Sequence, residues 1–359
     1  MEQKKKQYDA LLRFFLYIVS PHSQFFFMLI SSILVMIMAY GPIKKFHTTE
    51  ISPQLFPITP QKVREWGGEP TRVTVGLDVR NFPEFDFVKN QFELDGILWF
   101  EFDPALISLD TVSKFTFDKA NLEKKSTPFT KIVNDRFFAR YDVKLKFNMT
   151  LNYRFFPFDD HRMFITLINR TVSPSEVMFK SEETDFLFSD EINISGWEID
   201  NKSVKTGYAV DIMETYDPEK TVLYPKTVFS IDFRRVGVRY ILLIVLPFFI
   251  LFFMGLFSFA FDPEKNSYLI TYIAIGGITS LLTYRFVLEA MTPKVGYFVL
   301  SDYVYSVLLS FSLVEVVVGI ITVYTKRLTE PLILLRGILF ILFHLVFIFT
   351  WYYFLRQLW

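Results

Sequence analysis

After Arg239 the chain is almost continuously apolar, and this constrains it more than any other feature. Four stretches, 240–261, 268–290, 299–324 and 332–355, each supply the roughly 20 residues that carry a helix through a bilayer core. A fifth, 25–43, lies far upstream, contains Ser31 and Ser32, and ends at Gly41-Pro42. The basic start MEQKKK would suit a signal peptide. The apolar run begins only at Phe25, however, and MAYG is a poor small-x-small cleavage site, so a retained helix is expected. Basic residues set orientation in membranes. Lys4, Lys5, Lys6 and Arg13 precede the first span, and Lys326, Arg327 and Arg336 lie around the start of the last. Placing both groups inside puts 44–237 outside; Lys44 and Lys45 oppose this mildly.

The region between the first span and the other four has a different texture. Val73, Val75, Leu77 and Val79 alternate with polar residues, and Phe92 to Phe102 and 141–153 continue the pattern. Further short runs at 163–168, 197–204 and 222–234 are separated by polar stretches, 119–130, 170–183 and 214–220, which read as loops. Such spacing predicts an all-β, immunoglobulin-like sandwich. The Pro-rich 51–70 reads as a linker with one short helix near Pro60. The expected domains are therefore 1–43 (cytoplasmic start and extra span), 44–70 (linker), 71–237 (β-sandwich) and 238–359 (an all-α four-helix membrane bundle).

Composition removes several classes of function. Basic and acidic residues balance at 38 each, so nothing bids for nucleic acid. There is no cysteine, and the four histidines (His22, His47, His161, His344) are scattered. No metal site, cofactor or catalytic motif is expected, and the chain does not read as an enzyme.

One turn is out of character. FPFDDHRMFI, 156–165, interrupts a strand-like run with Pro157, which cannot donate to a strand ladder. Its flanks are Phe156 and Phe158, where turns usually carry small polar residues. Asp159 and Asp160 follow at once.

That FPFD turn, "ISGWEID" at 194–200, FRR…Y…LP at 233–247, "EAMTPKVGY" at 289–297 and "LVEVVV" at 313–318 occur in an order that resembles the pentameric ligand-gated ion channels, the Cys-loop receptor superfamily, in their bacterial form. The likeness spans 71–359. It lacks the cysteines that name the vertebrate loop, and the first span is an addition to the family plan. It implies a homopentamer in the bacterial inner membrane, with the N-terminus cytoplasmic and the β-domain periplasmic or extracellular. An agonist bound in the β-domain would open a pore lined by the helix 268–290.

A projection of that helix at 3.6 residues per turn groups Tyr272, Gly276, Thr279, Thr283, Val287 and Ala290 on one small, polar side, and alignment through Pro293 and Tyr297 selects the same stripe as pore-lining. A shift of one residue would select Thr271, Ile275, Ile278, Leu282 and Glu289 instead, and a small-residue face also suits plain helix packing. Thr279 sits where the family's pores usually carry a greasy ring, so Tyr272 or Val287 is the alternative constriction. Candidate charge rings are Glu264 at the inner mouth and Glu289 at the outer. Lys265 and Arg285 mix the signs, with a lean to cations.

The resemblance implies gating coupling through Phe156, Pro157, Phe158, Asp159, Arg234, Arg235, Pro293 and Tyr297. It places an agonist site at Tyr208, Tyr216, Tyr224 and Glu214, where aromatic rings with a carboxylate suit a cationic amine. Protons are the other candidate ligand, through Glu315, His161 or the Asp159–Asp160 pair, where a like-charged neighbour raises one pKa. The competing reading is a non-conducting membrane sensor of the same fold that signals through its N-terminal helix or a partner.

Overall fold

The computed structural model describes residues 2–86, 89–147, 149, 151–212, 221–236, 238–325 and 329–358. It divides into two compact units. One comprises Met1–His47, Tyr153–Asp159 and Gly237–Trp359; the other comprises Thr48–Asn152 and Asp160–Val236.

The second unit is β-rich. After a short helix, α3 (Pro60–Glu65), come β1 (Thr71–Asp86), β2 (Gln91–Phe102), the helical turn α4 (Leu109–Ser113), β3 (Thr116–Asp118), β4 (Ala120–Lys125), β5 (Phe129–Val133), β6 (Arg136–Phe147), β7 (His161–Ile168), β8 (Val177–Lys180), β9 (Phe186–Phe188), β10 (Trp197–Ile212) and β11 (Thr221–Arg235). Among the described residues these form two sheets. One follows the order β4-β6-β2-β1-β8, with β5 on β6 and β9 on β1; the other follows β10-β11-β7-β3. Strict alternation along β2 buries every second side chain, from Phe92 to Phe102, as a strand with one covered face requires. The faces of the two sheets share aromatic residues. Phe85 of β1 lies 4.8 Å from Phe233 of β11, and Phe186 of β9 lies 5.1 Å from Phe229.

Two stretches expected as loops are paired. The polar segment 119–130 supplies β4 and the start of β5, both on β6, and 170–183 contains β8, parallel to β1. The side chains of β5 are exposed on both faces. A strand with neither face covered carries no alternating pattern, so periodicity could not find it.

The other unit is helical: α1 (Glu2–Ile18), α2 (Pro21–Lys44), α5 (Val238–Leu256), α6 (Pro263–Met291), α7 (Leu300–Thr325) and α8 (Glu330–Arg356). Five of its helices, all but α1, are long and apolar enough to cross a membrane, the character of a membrane protein. A 3-10 turn, Phe257–Ala260, joins α5 to α6. The helix α1 carries too many polar residues to read as a span, and its Phe15 packs where Gly337 of α8 leaves no room for a Cβ. Phe27 of α2 meets Phe340 and His344 of α8 at 5.5 and 5.7 Å between ring centroids. The α5 and α8 helices interlock through Phe252 and Phe347, stacked at 4.2 Å.

Candidate functional site

The pore-helix candidate is α6. Its buried residues, Ile270, Ala274, Gly277, Leu281 and Leu288, recur at helical spacing and form the seam toward the bundle. At about 100° per residue, Tyr272, Gly276, Thr279, Thr283, Val287 and Ala290 fall on the side opposite that seam. Tyr272 is 71% exposed, and a Cβ on Gly276 would meet nothing. The shifted stripe through Thr271, Ile275, Ile278 and Leu282 averages about a quarter-turn from the seam, and its Ile275 and Leu282 are exposed as well. The Thr283 hydroxyl donates to the Thr279 carbonyl at 2.9 Å, which leaves its oxygen able to accept. Asp262 caps the helix by accepting from the Glu264 N–H at 3.0 Å. At the far end Arg285 donates to Asp302 of α7 at 2.5 Å, while Glu289 lies 3.7 Å from Arg285 with 71% of its side chain exposed. Asp302 thus answers most of the Arg285 charge, and the carboxylate left facing outward is that of Glu289.

The FPFD turn clusters with the helices. Its residues Tyr153–Asp159 belong to the helical unit, although both flanks belong to the β-rich one. The Tyr153 N–H donates to the Tyr297 hydroxyl at 2.9 Å, and the Leu300 N–H donates to the Arg154 carbonyl at 2.9 Å. Phe156, Pro157, Phe158 and Asp159 are buried. Phe158 meets Trp351 of α8 edge-on at 6.3 Å. Pro293 is buried in the segment that follows α6. A greasy turn is therefore solvated by helices rather than by water, and this answers why it carries two phenylalanines.

A charged cluster surrounds the start of β7 in the β-rich unit. His161 Nδ1 lies 2.9 Å from Glu50 Oε1. The same carboxylate accepts from the N–H groups of Asn152 at 3.3 Å and Arg162 at 3.2 Å, and from the Thr48 hydroxyl. Burial pushes the Glu50 carboxyl up, but the hydrogen bonds from His161, Thr48 and Asn152 outweigh it and hold it below the usual carboxylate range. On its other side His161 faces the Trp197 ring at 5.5 Å, and the Arg235 guanidinium lies 4.2 Å above that ring. The Arg235 N–H donates to Asp160 at 3.1 Å. Next to this chain of contacts Arg162 holds Asp232 through two bonds, 2.5 and 2.7 Å. Arg234 is paired to Glu198 and, at 3.0 Å, to Asp200. Asp160 is only 8% exposed.

Sequence reasoning had no hold on Glu50, Trp197, Glu198 or Asp232. Glu50 is one of three glutamates in the linker 44–70, and no pattern sets it apart. Trp197 lies in a quoted motif, where a tryptophan opening a strand reads as core.

Of the expected agonist residues, the two that are described, Tyr208 and Tyr224, are not brought together. Tyr208 opposes Pro225 in the β10–β11 ladder, and Tyr224 opposes Ala209. Adjacent ladder positions point to opposite faces, so the two tyrosines look away from each other. Tyr208 stacks on Phe56 at 5.5 Å and meets Trp66 at 5.7 Å, both from the linker. Tyr224 is buried, and its hydroxyl donates to Asp211 at 2.9 Å beneath Arg170. Glu214 and Tyr216 lie outside the described residues.

Two buried polar groups grip the turn between α5 and α6. Gln24 of α2 donates to the Leu256 carbonyl at 3.0 Å and to that of Val19 at 3.1 Å. Arg336 of α8 donates to the carbonyls of Ser258 at 3.1 Å and Phe261 at 3.2 Å, and to that of Phe259. Glu315 of α7 is 3% exposed, and its carboxylate occupies the space a Cβ on Gly255 would need. Comparison with known proteins finds no family model that matches this sequence, and no curated protein that is similar to it.

Proposed function

We propose that this protein forms a homopentameric ligand-gated ion channel of the bacterial inner membrane, with an immunoglobulin-like sandwich outside the membrane controlling a pore lined by α6. One observation carries the reading: a membrane-length helix turns its hydroxyl-bearing stripe away from its own bundle. Polar groups at membrane depth face a partner or a water-filled path. A ring of five such helices supplies the path, with Thr279 and Thr283 wet and Tyr272 or Val287 as the constriction. Glu264 and Glu289 make the mouths acidic, which favours cations.

The cluster at the start of β7 supports a role for the β-rich unit as sensor. It follows directly on the FPFD turn in the chain, so in this reading a rearrangement around Glu50, His161 and Arg235 passes along the backbone of Asp160 and Asp159 into residues held by Tyr297 and Trp351. Protons fit this cluster as a ligand better than an amine fits the separated Tyr208 and Tyr224. The deciding experiment is electrical. Protein reconstituted in planar bilayers and stepped from neutral to acidic pH should pass unitary currents, and its cross-linked ladder should end at five copies. Silence under all ligands, with a ladder ending elsewhere, would overturn the reading.

A second reading has its own support. Gln24 ties the added span to the end of α5, next to the turn that opens α6. This suits a non-conducting sensor that signals through its N-terminal helix, and it suits a channel whose gate that helix adjusts.

A further inference from the structure

The α2 and α8 helices run in the same direction, since Phe27 meets Phe340 and Met38 lies beside Tyr352 and Leu355. Phe27 of α2 packs on Phe340 and His344 of α8, whereas further along Leu34 and Met38 stand opposite Leu345, Phe349 and Tyr352 across an open-sided groove of about 510 Å³. A second hollow of about 260 Å³ shares Met38 and Tyr352 and continues to Leu355 and Arg356. Each lies in or near the size range of roughly 300–1,000 Å³ typical of small-molecule sites. The groove is apolar along its length and charged at one end. Arg356 is exposed and has no hydrogen bond or ion pair among the described residues. Lys44, near the same ends of the parallel pair, stands 2.6 Å from the Tyr40 hydroxyl. Tyrosines and basic residues in this position mark the level of lipid headgroups.

We infer that this groove is a binding site for one anionic phospholipid of the surrounding bilayer, its acyl chain along Leu34, Met38, Leu345 and Phe349 and its phosphate on Arg356. The lining accepts only hydrocarbon, and the groove lies on helices whose other exposed residues, Ile33, Ile37 and Leu342, are also apolar. A guanidinium matches phosphate oxygens in a two-pronged geometry that a zwitterionic headgroup partly neutralises. The site depends on the added span, since α2 forms one wall. It holds whether or not the protein conducts.

The test uses the full chain in vesicles of phosphatidylcholine doped with photoreactive phosphatidylglycerol, or with phosphatidylcholine carrying the same photoreactive acyl chain. Cross-linked peptides are mapped by mass spectrometry. The phosphatidylglycerol probe should label α2 and α8 around Met38 and Phe349 about tenfold more than the phosphatidylcholine probe, the ratio a charge-assisted contact supplies. Arg356→Ala should remove that preference, and Leu345→Trp, which fills the groove, should remove the labelling itself with either probe. Equal labelling by the two probes overturns the proposal without recourse to any variant. So does cross-linking of Met38→Cys to a second copy, which would show that another subunit covers the groove.

Discussion

His161 Nδ1 stands 2.9 Å from Glu50 Oε1, although 111 residues separate them in the chain. The pair ties the linker that follows the first span to the strand that follows the FPFD turn. Neither partner can be removed cheaply. Glu50→Ala removes a buried carboxylate that bonds His161, Thr48 and the N–H groups of Asn152 and Arg162, and should cost about 2–4 kcal/mol at neutral pH.

The same pair sets an acid limit. The Glu50 carboxyl is held below its ordinary value in the folded chain. Its contribution is therefore complete above the unfolded pKa of about 4.3 and is lost as pH falls through the lower, folded value. Thermal melts of the full chain in detergent should show a melting temperature that drops below about pH 4. Glu50→Gln should start lower and flatten that limb. An unchanged acid limb in the variant would assign the drop to other carboxyls.

Tyr297→Phe deletes the acceptor of the Tyr153 N–H and nothing else. The loss should be about 1–3 kcal/mol, read as a lower melting temperature. Under the proposed function it should also move the activation midpoint toward stronger stimulus, since Tyr297 holds the turn that relays the signal. Phe158→Ala, which opens a void against Trp351, should do both more severely, by about 3–5 kcal/mol.

The chain has no cysteine, so single cysteines can be read without background. Under the proposed function, Thr279→Cys and Thr283→Cys should react with a water-soluble charged thiol reagent, and the reaction should block current. Leu282→Cys, on the shifted stripe, should react far more slowly. The opposite order would select the shifted stripe. Thr279→Leu should lower unitary conductance by adding a greasy ring at mid-helix.

Under the proposed function, charge at the C-terminal end of α6 should set ion preference. Arg285 is engaged by Asp302, so Glu289→Gln should lower the cation-to-anion permeability ratio several-fold, measured by reversal potentials in a salt gradient. Asp302→Asn should act differently. It leaves Arg285 without its main partner within the bundle, and its main effect should be on stability, about 2–3 kcal/mol.

Gln24→Leu keeps the bulk of the side chain but removes two donors. The Leu256 carbonyl at the end of α5 then loses its Gln24 donor, at a cost of about 1–3 kcal/mol. If the added span adjusts the turn before α6, the variant should shift open probability without changing unitary conductance. A change in melting temperature alone would reduce Gln24 to a packing role.

The membrane-length helices were legible because a bilayer imposes a length and a polarity that composition alone reveals. Residues 25–43 and the four later stretches became α2 and α5 to α8 within a few positions. The principal strands were legible for a similar reason: a covered face writes itself into alternation, as along β2. The helix α1 and the strands β4 and β5 were not. The first is only partly apolar, and β5 leaves both faces to solvent, so no pattern records it.

What the sequence by itself determined is thus the partition: which residues leave water for a bilayer or for a sheet core, because hydrophobic burial depends on residue type and on spacing along the chain. Only the tertiary structure decided which groups meet. It set the seam of α6 against its bundle and thereby the side that looks away. It put Tyr208 and Tyr224 on opposite faces through a ladder register that no local pattern fixes. It brought Glu50 out of a featureless linker to His161, and gave the FPFD turn helices to rest on. Contacts between residues a hundred or more positions apart depend on how whole elements pack, and that information resides in no single segment of the chain.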